Sequence, residues 1–164
     1  MINTDVQRFC EILGRIEELL EKYTEIAAVL MRTESDELEL LTEKIAERQS
    51  LVDETETLRK EASEILDNAE KGEAELIRSM LTGGATNEHL TDDLIPVRKA
   101  VVNLRSAQTK AAESDRTLQM QFENRLEEAK DQLKQLNDEK KKLDYYSSLN
   151  QNSTNLGGSL DGSF

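Results

Sequence analysis

From residue 6 to residue 30 the apolar side chains recur in alternating steps of three and four: Val6, Phe9, Leu13, Ile16, Leu20, Tyr23, Ala27 and Leu30. An α-helix turns once in 3.6 residues, so this spacing places all eight on one face. It holds that face toward a partner helix, as the seam of a coiled coil does. A strand cannot carry the pattern, because its side chains alternate with period two. Charged residues make up 34% of the chain and aromatics 4%, with no Trp and one Pro, a composition suited to long amphipathic helices rather than a sheet core. The expected fold is all-α: an antiparallel helical hairpin plus a long third helix, forming an elongated three-helix bundle or coiled coil. The helices are expected over about 4–32, 35–81 and 93–146, within a bundle of residues 1–146.

Local signals place the boundaries. Thr4 with Gln7 fits a capping box at the start of the first helix. The stretch RTESDE, residues 32–37, offers Thr33 and Ser35 as N-caps and contains no Gly or Pro. Its shortness favours antiparallel neighbours. The second helix carries Leu38, Leu41, Ile45, Leu51 and Val52, continuing through Leu58, Ala62, Ile65 and Ala69. Gly72 weakens that helix, after which Leu76, Ile77, Met80 and Leu81 resume the apolar face. Arg48 and Gln49 stand where the stripe should continue. Two readings are open: the Arg stem covers apolar surface with its head in water, or a polar seam position fixes the helix register.

Residues 82–96, TGGATNEHLTDDLIP, form a loop, with Pro96 suited to the first turn of the next helix. The third seam reads Val97, Val101, Leu104, then Phe122, Leu126, Ala129, Leu133, Leu136 and Leu143. Between them, residues 106–117 offer only Ala for packing, which predicts a thin, bent or broken segment. At ~1.5 Å per residue the third helix would span roughly 75 Å against roughly 45 Å for the first. Part of its seam must therefore overhang, pair with the second helix alone, or meet another molecule. The Ser/Asn/Gly-rich tail, residues 147–164, is expected to be disordered.

Several function classes are disfavoured. With 34 acidic and 21 basic residues the net charge is −13, which opposes nucleic acid and anionic lipid surfaces. There is no run of ~18 apolar residues for membrane insertion and no secretory signal pattern, so a cytoplasmic location is expected. One Cys and one His cannot build a Cys/His zinc site, and TGGAT lacks the Lys-Ser/Thr of a phosphate-binding loop. Cys10, beside the first seam, reads as a small buried hydrophobe, and His89 as an exposed loop residue. The carboxylates read as solvated helix faces. No cofactor and no enzymatic activity are expected.

The segment DELELLTEKIAERQSLVDETETL, residues 36–58, resembles the flagellar export chaperones of the FliT and FlgN type. The matching residues are Asp36, Leu38, Leu41, Ile45, Arg48, Gln49, Leu51, Val52 and Asp53. The plan is similar too: a small acidic helical chain, hairpin first, long helix later, then DYYSSL and a tail. The resemblance implies a cytoplasmic chaperone that holds filament-cap or hook–filament junction subunits unassembled for type III export. Its physical form is helix-in-groove recognition. The candidate client-binding residues are Phe122, Leu126, Leu133, Leu136 and Leu143, the part of the third seam that the hairpin cannot cover. The competing readings are that these residues pack on the first two helices or in a homodimer, and that the chain is a self-assembling structural coiled coil, spacer or adaptor.

Overall fold

The computed structural model describes residues 3–84 and 90–158, with side chains at 5–84 and 90–152. The helices are α1 (Asn3–Arg32), α2 (Leu38–Asp67), α3 (Lys71–Thr82) and α4 (Ile95–Gly158), with a 3₁₀ turn at Asp92–Leu94 before α4. No strand occurs among the described residues, and the all-α class expected from the heptad of α1 is the class observed. The chain divides into two units, Met1–Gln119 and Met120–Phe164.

In the first unit α1 is the central element. Phe9, Ile16, Leu19 and Leu30 are fully buried, and the seam from Val6 to Leu30 faces inward. A second row, Ile12, Leu19 and Ile26, is buried beside it. The heptad reading omits this row. Its residues repeat every seven positions next to the seam, as expected of a helix covered on more than one side. α1 and α2 are antiparallel: Arg8 pairs with Glu61, Arg15 with Glu54, and the Arg48 guanidinium lies on Tyr23, so contacts run in opposite directions along the two helices.

The turn between them is built differently from the expectation. Neither Thr33 nor Ser35 caps α2. Thr33 is buried and its hydroxyl donates to the Val29 carbonyl at 2.8 Å, closing α1. Glu37 stands at the N-cap, and its carboxylate accepts the Glu34 N–H at 2.9 Å while its own N–H donates to the Glu34 carbonyl.

Two boundaries also differ. The helix expected over 35–81 is two helices. It breaks at Asn68, whose side-chain amide donates to the Glu64 carbonyl at 2.9 Å, and at Glu70, whose ψ of 136° is extended. The break falls where no Gly or Pro stands, at a residue whose short polar side chain bonds the helix's own carbonyl. α4 runs on through residues 147–158, so this part of the tail is helical and not, as expected, disordered. The remaining tail, 159–164, lies outside the described residues, as do His89 and most of the TGGATNEH loop. Thr4 of the expected capping box lies outside the described side chains.

The main core joins α1 to Ala62 and Leu66 of α2, Ile77 and Met80 of α3, and Leu94, Val97, Val101 and Leu104 at the start of α4. Gly83 ends α3 in the left-handed conformation (φ 93°). The Gly83 N–H donates to the Met80 carbonyl and the Gly84 N–H to that of Ser79, a Schellman cap. Pro96 sits in the first turn of α4, where its missing N–H leaves no bond unmade. A smaller cluster at the far end holds Ile26, Ala27, Leu30 and Leu118, with Leu41 and Leu51 packed against it.

Candidate functional site

Of the stripe expected on α2, Leu41, Leu51, Leu58 and Ala62 face inward, but three members lie one position off the inward row. Leu38, Ile45 and Val52 are exposed, Ile45 by 55%. The inward row is Leu41, Lys44, Arg48, Leu51, Thr55, Leu58 and Ala62, again in steps of three and four. Arg48 is therefore a seam residue, in phase with leucines on both sides, and its side chain is only 15% exposed. Its guanidinium lies 3.7 Å over the Tyr23 ring and is ion-paired with Asp115 of α4. The Tyr23 hydroxyl donates to the other Asp115 oxygen at 2.9 Å. Burial pushes the Tyr23 hydroxyl pKa up, and the hydrogen bond to Asp115 adds to the rise. Arg48 Nε is buried without a hydrogen-bond partner. The reading with the Arg head in water does not hold; the node ties three helices of the first unit together. Gln49 does face outward, and donates to Asp53 at 2.9 Å.

The main core and the smaller cluster do not meet along α2 and α4. Two cavities lined by α1, α2 and α4 form a groove along this face, the first between the two clusters and the second against residues of the main core. α4 supplies Ala107 and Ala111, both buried, with Ala112 at the groove itself. The alanine stretch that predicted a thin or broken segment is continuous helix. Its short side chains keep the seam in phase, since Leu104, Ala107, Ala111 and Leu118 are all buried, but leave unfilled volume beside it. One cavity, about 340 Å³, is lined by Leu19, Tyr23, Val52, Thr55 and Ala112. A second, about 290 Å³, is lined by Leu13, Ile16, Ala62, Leu66 and Leu104. Arg59 and Gln108 line both. Heptad reasoning on single helices missed this groove. Its signal was present in the run of small residues opposite Val52 and Thr55.

In the second unit, the five expected docking residues are all exposed: Phe122 at the margin, Leu126, Leu133, Leu136 and Leu143 by more than half. Leu149, Tyr145 and Tyr146 continue the exposed apolar surface, the two rings meeting edge to face with centroids 6.0 Å apart. Exposed apolar residues on one helix face at this density are rare unless something covers them. Cys10 is half-buried against the main core, and burial raises its thiol pKa, with Glu11 adding to the rise. No group of three His, Cys, Asp or Glu side chains that could hold a metal occurs among the described residues, and no described helix is long and apolar enough to cross a membrane. No family model, no curated protein and no solved structure matches this chain.

Proposed function

We propose that this chain is a protein-binding chaperone of the kind its hairpin sequence resembles, holding an amphipathic helix of a client subunit on the stripe Phe122, Leu126, Leu133, Leu136 and Leu143. The observation that carries the proposal is the exposure of that stripe along one helix. A helix laid on it would bury five large side chains, each worth about 1.5–3 kcal/mol when fully removed from water. In the cell, on this reading, the client is a filament-cap or hook–filament junction subunit kept unassembled until export, and the chaperone is cytoplasmic.

Self-assembly through the same stripe is the second reading, and charge argues against its simplest form. With Leu126 and Leu133 at a positions, and Phe122, Ala129, Leu136 and Leu143 at d, the flanking residues follow. A parallel pair of identical helices would set Arg125 against Lys130, and Glu139 against Asp144. Such flanking positions select the partner, and like charges there repel. A client helix with its own charge pattern has no such conflict.

The test is titration of the intact chain and of its Leu133→Ser/Leu136→Ser variant with the C-terminal helical segment of a filament-cap or hook-junction subunit. The variant should bind more than about tenfold more weakly, roughly 1.4 kcal/mol. Its circular dichroism should stay helical, because those leucines are exposed in the free protein. Failure of the unmodified chain to bind any such segment would refute the chaperone reading. A sedimenting self-assembly lost in the same variant would favour the structural coiled coil.

A further inference from the structure

The groove of the first unit is separate from the exposed stripe and has its own recognition chemistry. Along α2, Leu51 to Arg59 line the first cavity and Arg59 to Leu66 the second, so the cavity centres are about two helical turns apart, roughly 11 Å. An α-helix presents residues i and i+7 on one face at that separation. Between the cavities stands Arg59, exposed and without an ion pair or hydrogen bond among the described residues. A helix laid over it would strip water from the guanidinium, which is unfavourable unless the helix brings a carboxylate. The cavities themselves are also lined by Glu56 and Asp115 on one side and Arg78 on the other, while the unit as a whole is acidic, residues 1–119 holding 26 of the 34 Asp and Glu but 15 of the 21 Lys and Arg.

We propose that this groove binds an amphipathic helix of a partner protein. The helix carries two large apolar residues seven positions apart that seat in the two cavities, a single carboxylate between them that pairs with Arg59, and basic residues along its outer edges. A second copy of this chain is a poor occupant. At the positions three and four after the first leucine, which would face Arg59, its stripe offers Ala129 and Lys130 after Leu126, and Glu139 with Lys140 after Leu136, so each time a lysine would be brought to the guanidinium.

The probes are three short, fluorescein-labelled, Ala/Lys-based helical peptides. The first has leucines seven residues apart and a glutamate four residues after the first leucine. In the second, lysine replaces the glutamate; in the third, serines replace the leucines. Titrated against the intact chain, the glutamate peptide should bind more than about tenfold tighter than the lysine peptide, and the serine peptide should not bind. Arg59→Glu, at an exposed position whose retained fold is checked by circular dichroism, should reverse the order of the first two. The Leu133→Ser/Leu136→Ser chain should bind all three as the unmodified chain does. Equal binding of the glutamate and lysine peptides, an order unchanged by Arg59→Glu, or no binding at all would overturn the proposal. Binding lost in the double serine variant would also overturn it, by moving the peptide to the stripe, while leaving the chaperone reading intact.

Discussion

Replacing Asp115 by Ala should destabilise the first unit more than replacing Arg48 by Met, although both changes remove the same ion pair. The Arg48 side chain is 15% exposed and that of Asp115 46%. Without Asp115 the guanidinium stays enclosed, its Nε already unpartnered, with only the Tyr23 ring to stabilise it. Breaking a buried pair this way costs about 3–5 kcal/mol; because water reaches the half-exposed Asp115, roughly 2 kcal/mol is expected here. Met in place of Arg48 keeps an apolar stem of similar length and removes the charge. Asp115 is then left in partial contact with water and still accepts the Tyr23 hydroxyl. The loss is the cation–π contact, about 0.5–2 kcal/mol, offset by the relieved desolvation, for a net change within about 1 kcal/mol. The double variant should resemble Arg48→Met alone, because the stranded charge is gone. Urea unfolding followed by circular dichroism gives all three values. The reasoning is refuted if Arg48→Met costs as much as Asp115→Ala, or if the two losses simply add.

Two further outcomes follow from burial. Leu13→Ala should cost about 2–5 kcal/mol, whereas Ile45→Ala should stay within about 1 kcal/mol. Leu13 is 3% exposed and Ile45 faces water; thermal melts that shift equally would restore the register first read for α2. The raised pKa of the Tyr23 hydroxyl also has a consequence for pH. Above pH ~10 the unfolded chain loses this proton while the folded chain keeps it, so stability present below that pH is lost as pH rises through the folded pKa. Tyr23→Phe should fall less steeply than the unmodified chain over that range in urea midpoints at stepped pH, and identical slopes would contradict the assignment.

How much of this was legible depended on how many neighbours each helix has. The seam of α1 is regular and could be read directly; only its second row, Ile12, Leu19 and Ile26, depended on contacts that one helix does not reveal. For α2 the expected stripe mixed residues of the true row, Leu41, Leu51, Leu58 and Ala62, with the large aliphatics Leu38, Ile45 and Val52, which lie one position from it. That row is interrupted by a lysine, an arginine and a threonine, so hydrophobicity alone could not find it. Arg48 makes sense only with Asp115 beside it, far along the chain. The stripe of the second unit was legible because it is a heptad like α1. Its exposure was legible only as surplus length. The groove escaped because alanines satisfy a periodic pattern while leaving space unfilled.

The node at Arg48 also has a consequence for the order of folding expected from chain entropy. Tyr23 and Arg48 are joined across a single short turn, whereas Asp115 lies 92 residues from Tyr23 and 67 from Arg48. Closing a long loop costs more chain entropy than closing a short one, and non-local contacts reward it late. The α1–α2 hairpin can therefore stack the guanidinium on the ring before any carboxylate arrives. Until α4 docks, that cation is held at an interface still open to water on one side. Docking of α4 removes the water and delivers the counter-charge in the same step. Substitutions at Tyr23 would then slow folding, while substitutions at Asp115 would act chiefly by hastening unfolding.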